Sequence, residues 1–160
     1  MAPTQPHYKE PGWFTRNVFN GVVRAVNATG VSVWGSRVLD VPGRTSGKHH
    51  RTPVNLLDVE GEKYLVSPRG QTQWVRNVRA NDGRLTLVLG WRVSRHIAAE
   101  VADADKTEIL RRYLKRWKLE VGQFFDGVDA TSSDEEIQAV APKHPVFRLT
   151  HDPDARDDVD

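Results

Sequence analysis

Residues 51–66 read RTPVNLLDVEGEKYLV, and the fold follows from where that stretch breaks. Two β-prone runs, Pro53–Val59 and Glu62–Val66, are parted by Glu60-Gly61, the two-residue spacing of a tight hairpin. Reading outward, VLDV at 38–41, RLTLVLG at 84–90, VSRHIAAEV at 93–101 and Pro145 to Thr150 repeat the pattern. Gly90 with Trp91-Arg92 marks a second hairpin or bend. Antiparallel strands at this density close most economically into a small barrel, which leaves no exposed edge. The predicted class is mainly β with flanking helices.

Three segments change period from two to near three and a half. Trp13, Phe14, Val18, Val22, Ala25 and Val26 form one apolar helical face that Gly30 stops. Thr72 to Ala80 carries Trp74, Val75 and Val78 on one side and ends at Asn81-Asp82-Gly83. Asp105 with Glu108 predicts a capping box for a helix to about Leu119, with Ile109, Leu110, Tyr113, Leu114 and Trp117 as its stripe and Arg111, Arg112, Lys115, Arg116 and Lys118 opposite. One domain over residues 1–150 is expected, followed by an acidic, disordered tail over 151–160. The first ten residues lack the apolar run of a secretory signal, so a cytoplasmic protein is expected. Arg16 and Arg24 beside Trp13 and Phe14 add a peripheral membrane contact.

Composition removes several chemistries. Among 160 residues there is no Cys, which excludes disulfides, thiolate nucleophiles and cysteine-ligated metals. The six His show neither HxxxH nor HExxH spacing, and GxSxG is absent, so neither a metal site nor a hydrolase elbow is predicted. The formal charge is +2, but the last ten residues hold five Asp and one Arg; without them 22 cations face 16 acids. The folded part is therefore basic, and its cations are concentrated. Gly43 to Leu57 holds Arg44, Lys48 and Arg51 with no acid, and Ser67 to Ala80 holds Arg69, Arg76 and Arg79 with none.

Those two stretches are the candidate site. Gly43-Arg44-Thr45-Ser46-Gly47-Lys48 joins two strands and offers pliable backbone, two hydroxyls and, with Arg51, three cations, which is an anion cradle. It is not a P-loop, because Pro53 and the run after it form a strand where that motif needs a helix. Ser67-Pro68-Arg69-Gly70 leads from a strand into a helix start, a place that favours negative charge. Trp74 and Asn77 are neighbours on that helix, an aromatic face and a carboxamide suited to a planar ring with a polar edge.

In this order the pieces GRTSGKHHRTPVNLL, YLVSPRG and WVRNVRAN, with a late HPVFRL strand, resemble the deazaflavin-dependent nitroreductases, actinobacterial enzymes that use coenzyme F420. The likeness runs from about Val38 to Leu149. It implies a split β-barrel, related to flavin mononucleotide (FMN)-binding barrels of the pyridoxamine-phosphate-oxidase type. It implies hydride transfer from reduced F420 to a planar acceptor such as a quinone, a nitroaromatic or a conjugated carbonyl. By motif position, Arg44, Lys48 and Arg51 face the phosphate and glutamyl tail, Pro53 and Val54 border the ring, Ser67, Arg69 and Gly70 form the adjoining loop, and Trp74 and Asn77 support the chromophore end.

A specific proton donor is optional in such chemistry; Tyr113 and Tyr64 are the candidates. Trp13, Phe14, Trp117, Phe124 and Phe125 are candidates for an apolar acceptor pocket. The alternatives are an FMN-dependent split-barrel oxidoreductase and a nucleic-acid-binding barrel. The second is disfavoured because the cations sit on turns and no nucleic-acid motif is present. A monomer or a homodimer fits equally.

Overall fold

The computed structural model describes residues 35–155. Six strands, β1 (Ser36–Pro42), β2 (His49–Val59), β3 (Glu62–Val66), β4 (Arg84–Leu89), β5 (Arg92–Glu100) and β6 (Val146–His151), form a closed antiparallel barrel in the order β1-β2-β3-β6-β5-β4. Helix α1 (Gln73–Ala80) lies between β3 and β4, and α2 (Thr107–Val121) and α3 (Asp134–Val140) between β5 and β6. The expected helix over Trp13 to Val26 lies outside the described residues.

Both sequence-read hairpins form. Glu60 and Gly61 both take positive φ, 54° and 88°, as the turn that matches strand twist requires, and Val59 pairs with Glu62. Gly90-Trp91 turns β4 into β5, with Leu89 paired to Arg92. The barrel closes through β1 and β4, where Leu39 faces Leu87 and Asp40 faces Thr86.

The period of two sorts side chains into two cores. Leu39, Val41, Val54, Leu65, Leu85, Leu87, Phe147 and Leu149 fill the barrel, and α1 plugs it with Trp74, Val75 and Val78. The outward residues Leu57, Val66 and Val146 meet α2 and α3 in a second core built on Leu110, Tyr113, Leu114, Trp117, Phe125 and Ile137.

One local expectation is corrected. The capping box at Asp105 and Glu108 does not form. Lys106 occupies the cap of α2, its buried ammonium 2.7 Å from Asp103 and donating to the Ala141 carbonyl at 3.1 Å, while Glu108 accepts from Arg112 one turn on. The capping box forms on α3 instead, between Ser133 and Glu136. Past residue 150, His151 completes β6, and Asp152 is buried with its N–H donating to the Arg95 carbonyl at 3.0 Å; residues 156–160 of the expected tail lie outside the described residues.

Candidate functional site

The cation-bearing turn between β1 and β2 closes on itself. Gly43 N–H donates to the Lys48 carbonyl at 2.8 Å and Gly47 N–H to the Gly43 carbonyl at 2.9 Å, while the Ser46 hydroxyl accepts from Lys48 N–H. A Cβ at Gly43 would sit 2.7 Å from Nε2 of the exposed His50 ring, which would have to swing aside. On the other side α1 is fastened by its buried face, with the Trp74 and Phe147 rings 5.8 Å apart. Asn77 and Gln73 are thereby fixed opposite the turn.

Arg44 joins the two. Its backbone N–H donates to Asn77 Oδ1 at 3.2 Å, and its Nη1 donates to Asn77 Oδ1 at 2.9 Å and to Gln73 Oε1 at 2.8 Å. Between turn and helix lies a crevice of about 310 Å³. Its turn side is Gly43, Arg44, Thr45 and Ser46, its β2 side His50, Arg51 and Thr52, and its helix side Gln73, Trp74 and Asn77. None of these ten is acidic.

Arg51 is set from across the strand pair, where it faces Asp40 in register. Its Nε donates to Asp40 Oδ2 at 3.0 Å, and His49 Nδ1 lies 2.6 Å from Asp40 Oδ1. Partial burial works to raise the Asp40 carboxyl, but the hydrogen bonds from His49 and Arg51 and their charges outweigh it, and the pKa falls below the ordinary aspartate value.

Of the sequence-read residues, the structure gathers Arg44, Arg51, Trp74 and Asn77 around the crevice, with Lys48 exposed on the same turn. Trp74 serves two purposes, since it walls the crevice and belongs to the barrel core. Val54 points into the barrel, and Pro53 on the opposite face is half-buried. The Ser67 hydroxyl is turned inward and donates to the Gly70 carbonyl at 2.6 Å; Ser67, Arg69 and Gly70 shape the entry to α1 without lining the crevice. His50, Thr52 and Gln73 line it without having been singled out in the sequence. Their signal was present, because residues 50 and 52 share one strand face and residue 73 lies one turn before 77.

The two tyrosines are elsewhere. Tyr113 is 2% exposed, its ring 5.0 Å from that of Trp117 and 6.3 Å from that of Phe125. Burial pushes its phenol well up, and a hydrogen bond with Asn55 only partly offsets this. Tyr64 lies on the outward face of β3 against the same core. Trp117, Phe124 and Phe125 are buried there too and line no part of this crevice, and Trp13 and Phe14 lie outside the described residues. Among the described residues no cluster of His, Asp or Glu is arranged for a metal, and no helix is long and apolar enough to cross a membrane.

No curated protein matches the chain in sequence. Among solved structures, an F420-H2 dependent reductase (FDR-A) is 17% identical, covering 72% of this chain and 94% of its own, with a TM-score of 0.50. A chain described as a domain-swapped dimer is 16% identical over 86% and 97%, with a TM-score of 0.53. General Stress Protein 26 from Bacillus anthracis is 14% identical over 81% and 89%, with a TM-score of 0.50. At such identities the likeness is one of fold, and it is the barrel that is shared. The sequence model described as F420H(2)-dependent quinone reductase, however, matches residues 14–130, most of the chain and all of the crevice. The chain belongs to that family of F420-dependent oxidoreductases.

Proposed function

We propose that the chain reduces a planar acceptor, of the quinone, nitroaromatic or conjugated carbonyl class, with F420 held at the crevice between the β1–β2 turn and α1. The observation that supports this reading is the meeting of two acid-free basic segments around one crevice, with Arg44 hydrogen-bonded across it. Its residues fit the coenzyme: two arginines and three hydroxyls suit a phosphate and its carboxylate tail, and Trp74 offers an aromatic wall. When bound and reduced, the coenzyme supplies a hydride from its ring.

The work left to the protein is placement. Arg44 and Arg51, with Lys48 at the mouth, hold the anionic handle, and the Thr45, Ser46 and Thr52 hydroxyls share its oxygens. A handle fixed at several points leaves the ring one orientation, which brings donor and acceptor together without further loss of freedom at the reaction step. His50 is the imidazole that lines the crevice, and it is the candidate for a proton relay from Nε2 or Nδ1 in place of buried Tyr113 and half-buried Tyr64.

The test is an absorbance titration of the purified protein with F420 and, separately, with FMN, followed by addition of menadione to the reduced F420 complex. Preferential binding of F420 and its reoxidation by the quinone are expected. Failure to bind F420, or a protein that purifies yellow with flavin, would replace this reading with the FMN-dependent one.

A further inference from the structure

Arg44 and Arg51 border the same crevice but are held by different chemistry. Arg51 is paired with the Asp40 carboxylate. Arg44 is held by two neutral carboxamide oxygens, those of Asn77 and Gln73, and among the described residues no carboxylate pairs with it. Three other arginines follow the first pattern, Arg79 with Glu100, Arg111 with Asp134 and Arg112 with Glu108, while Arg37 donates to the Ser36 carbonyl away from the crevice. Of the two arginines that border the crevice, Arg44 is the one that departs from that pattern.

The difference has a physical consequence. A carboxylate that orients a guanidinium also cancels much of its charge for a third group, whereas an amide oxygen orients it through a dipole and leaves the unit charge intact. Nη1 carries both contacts to the carboxamides; Nη2 and Nε, the edge that makes two-point contact with a phosphate, have no partner among the described residues. Asn77 is 4% exposed and rides on a helix pinned into the barrel by Trp74, Val75 and Val78. Two donors, the backbone N–H and Nη1 of Arg44, converge on its Oδ1, which fixes the amide's orientation.

We propose that Asn77 is a positioning residue whose neutrality is the point: its carboxamide aims Arg44 into the crevice uncompensated, and makes Arg44 rather than Arg51 the principal contact for a phosphate-type anion. The inference rests on the reading that the crevice takes the anionic handle of F420. It goes beyond that reading by assigning the handle's main contact and the residue that sets its strength.

The experiment replaces Asn77 by Asp, equal in size but able to ionise, and by Ala, which removes the hold without adding charge. F420 affinity is measured for both and for the unaltered protein from neutral pH down toward the ordinary aspartate pKa of about 4. Reference to the unaltered protein cancels the pH effects that all three proteins share, whether they come from the other side chains near the crevice or from the ligand. Asn77→Asp should weaken binding by roughly ten- to a hundredfold at neutral pH and recover much of it on acidification, as the new carboxyl loses its charge. Asn77→Ala should weaken binding with no recovery, a contrast that a merely structural role for residue 77 would not produce. Binding by Asn77→Asp that matches the unaltered protein, or a loss equal at every pH, overturns the inference and leaves the coenzyme reading intact. If the unaltered protein binds no F420, the coenzyme reading fails, and the same titrations with inorganic pyrophosphate decide this inference: a loss regained on acidification upholds it, and equal binding or none overturns it.

Discussion

The open end of the barrel and its helix-covered flank are built from similar residues, and only the first surrounds this crevice. On the flank, α2 presents Tyr113, Trp117 and nearby Phe125 to a tight core, and its cations Arg111 and Arg112 meet Asp134 and Glu108. At the open end the aromatic Trp74 also packs, but Arg44 is met by amides, and the β1–β2 turn leaves space. Aromatic and cationic content therefore fails to mark a site. The charge of whatever holds each cation marks it better, since a neutralised arginine has little left to offer a ligand.

The comparison breaks most visibly under Trp117→Ala. This ring is 1% exposed in the flank core, and its loss should cost about 3–5 kcal/mol in urea denaturation. Coenzyme affinity of the folded variant should stay put; a drop there would mean that flank and crevice are one unit. Next in size, Arg44→Ala should weaken F420 binding by about ten- to a hundredfold, or roughly 1.4–2.8 kcal/mol, while the thermal midpoint moves little. Unchanged affinity would take the open end out of the chemistry.

Tyr113→Phe removes a buried hydroxyl bonded to Asn55 and should lower stability by about 1 kcal/mol. The rate of acceptor reduction and its pH profile should match those of the unaltered enzyme; a lost limb in that profile would restore Tyr113 as a proton donor. Smallest is Asp40→Asn. With its carboxylate gone, Arg51 offers more charge, so anion affinity should hold or rise a few-fold, the opposite of Asn77→Asp. The same variant has a stability signature. The Asp40 pKa is lowered in the fold, so its contribution is complete above the unfolded value of 3.8 and is lost as pH falls through the lower, folded one. Between those two values, urea midpoints should therefore fall less steeply with falling pH for Asp40→Asn.

Much of the barrel was legible because its signals are local. Glu60-Gly61 and Gly90-Trp91 announce turns, and alternation on either side fixes which residues point inward. α3 was missed because it stands in the polar run TSSDEE, with only Ile137, Val140 and Ala141 to form a stripe, although Ser133 and Glu136 carry the capping signal. The start of α2 was read early because nothing local shows that Lys106 is drawn inward to the Ala141 carbonyl, 35 residues away. At the site, the turn's chemistry was readable from its own residues. The bond from Arg44 to Asn77 spans 33 residues and exists only once α1 is seated in the barrel. The place of Tyr113 away from this crevice was unreadable for the same reason, since a helical stripe shows that it is covered but not by which side of the sheet.

The place of β6 has a temporal consequence. This strand follows every other described element in the chain, yet it lies between β3 and β5, pairing with both. A ribosome releases the crevice residues early, but the wall that carries Phe147, against which Trp74 rests, arrives with the last strand. Assembly of the crevice must therefore wait for β6, and a nascent chain halted before Val146 would carry every crevice residue without the barrel that brings them together.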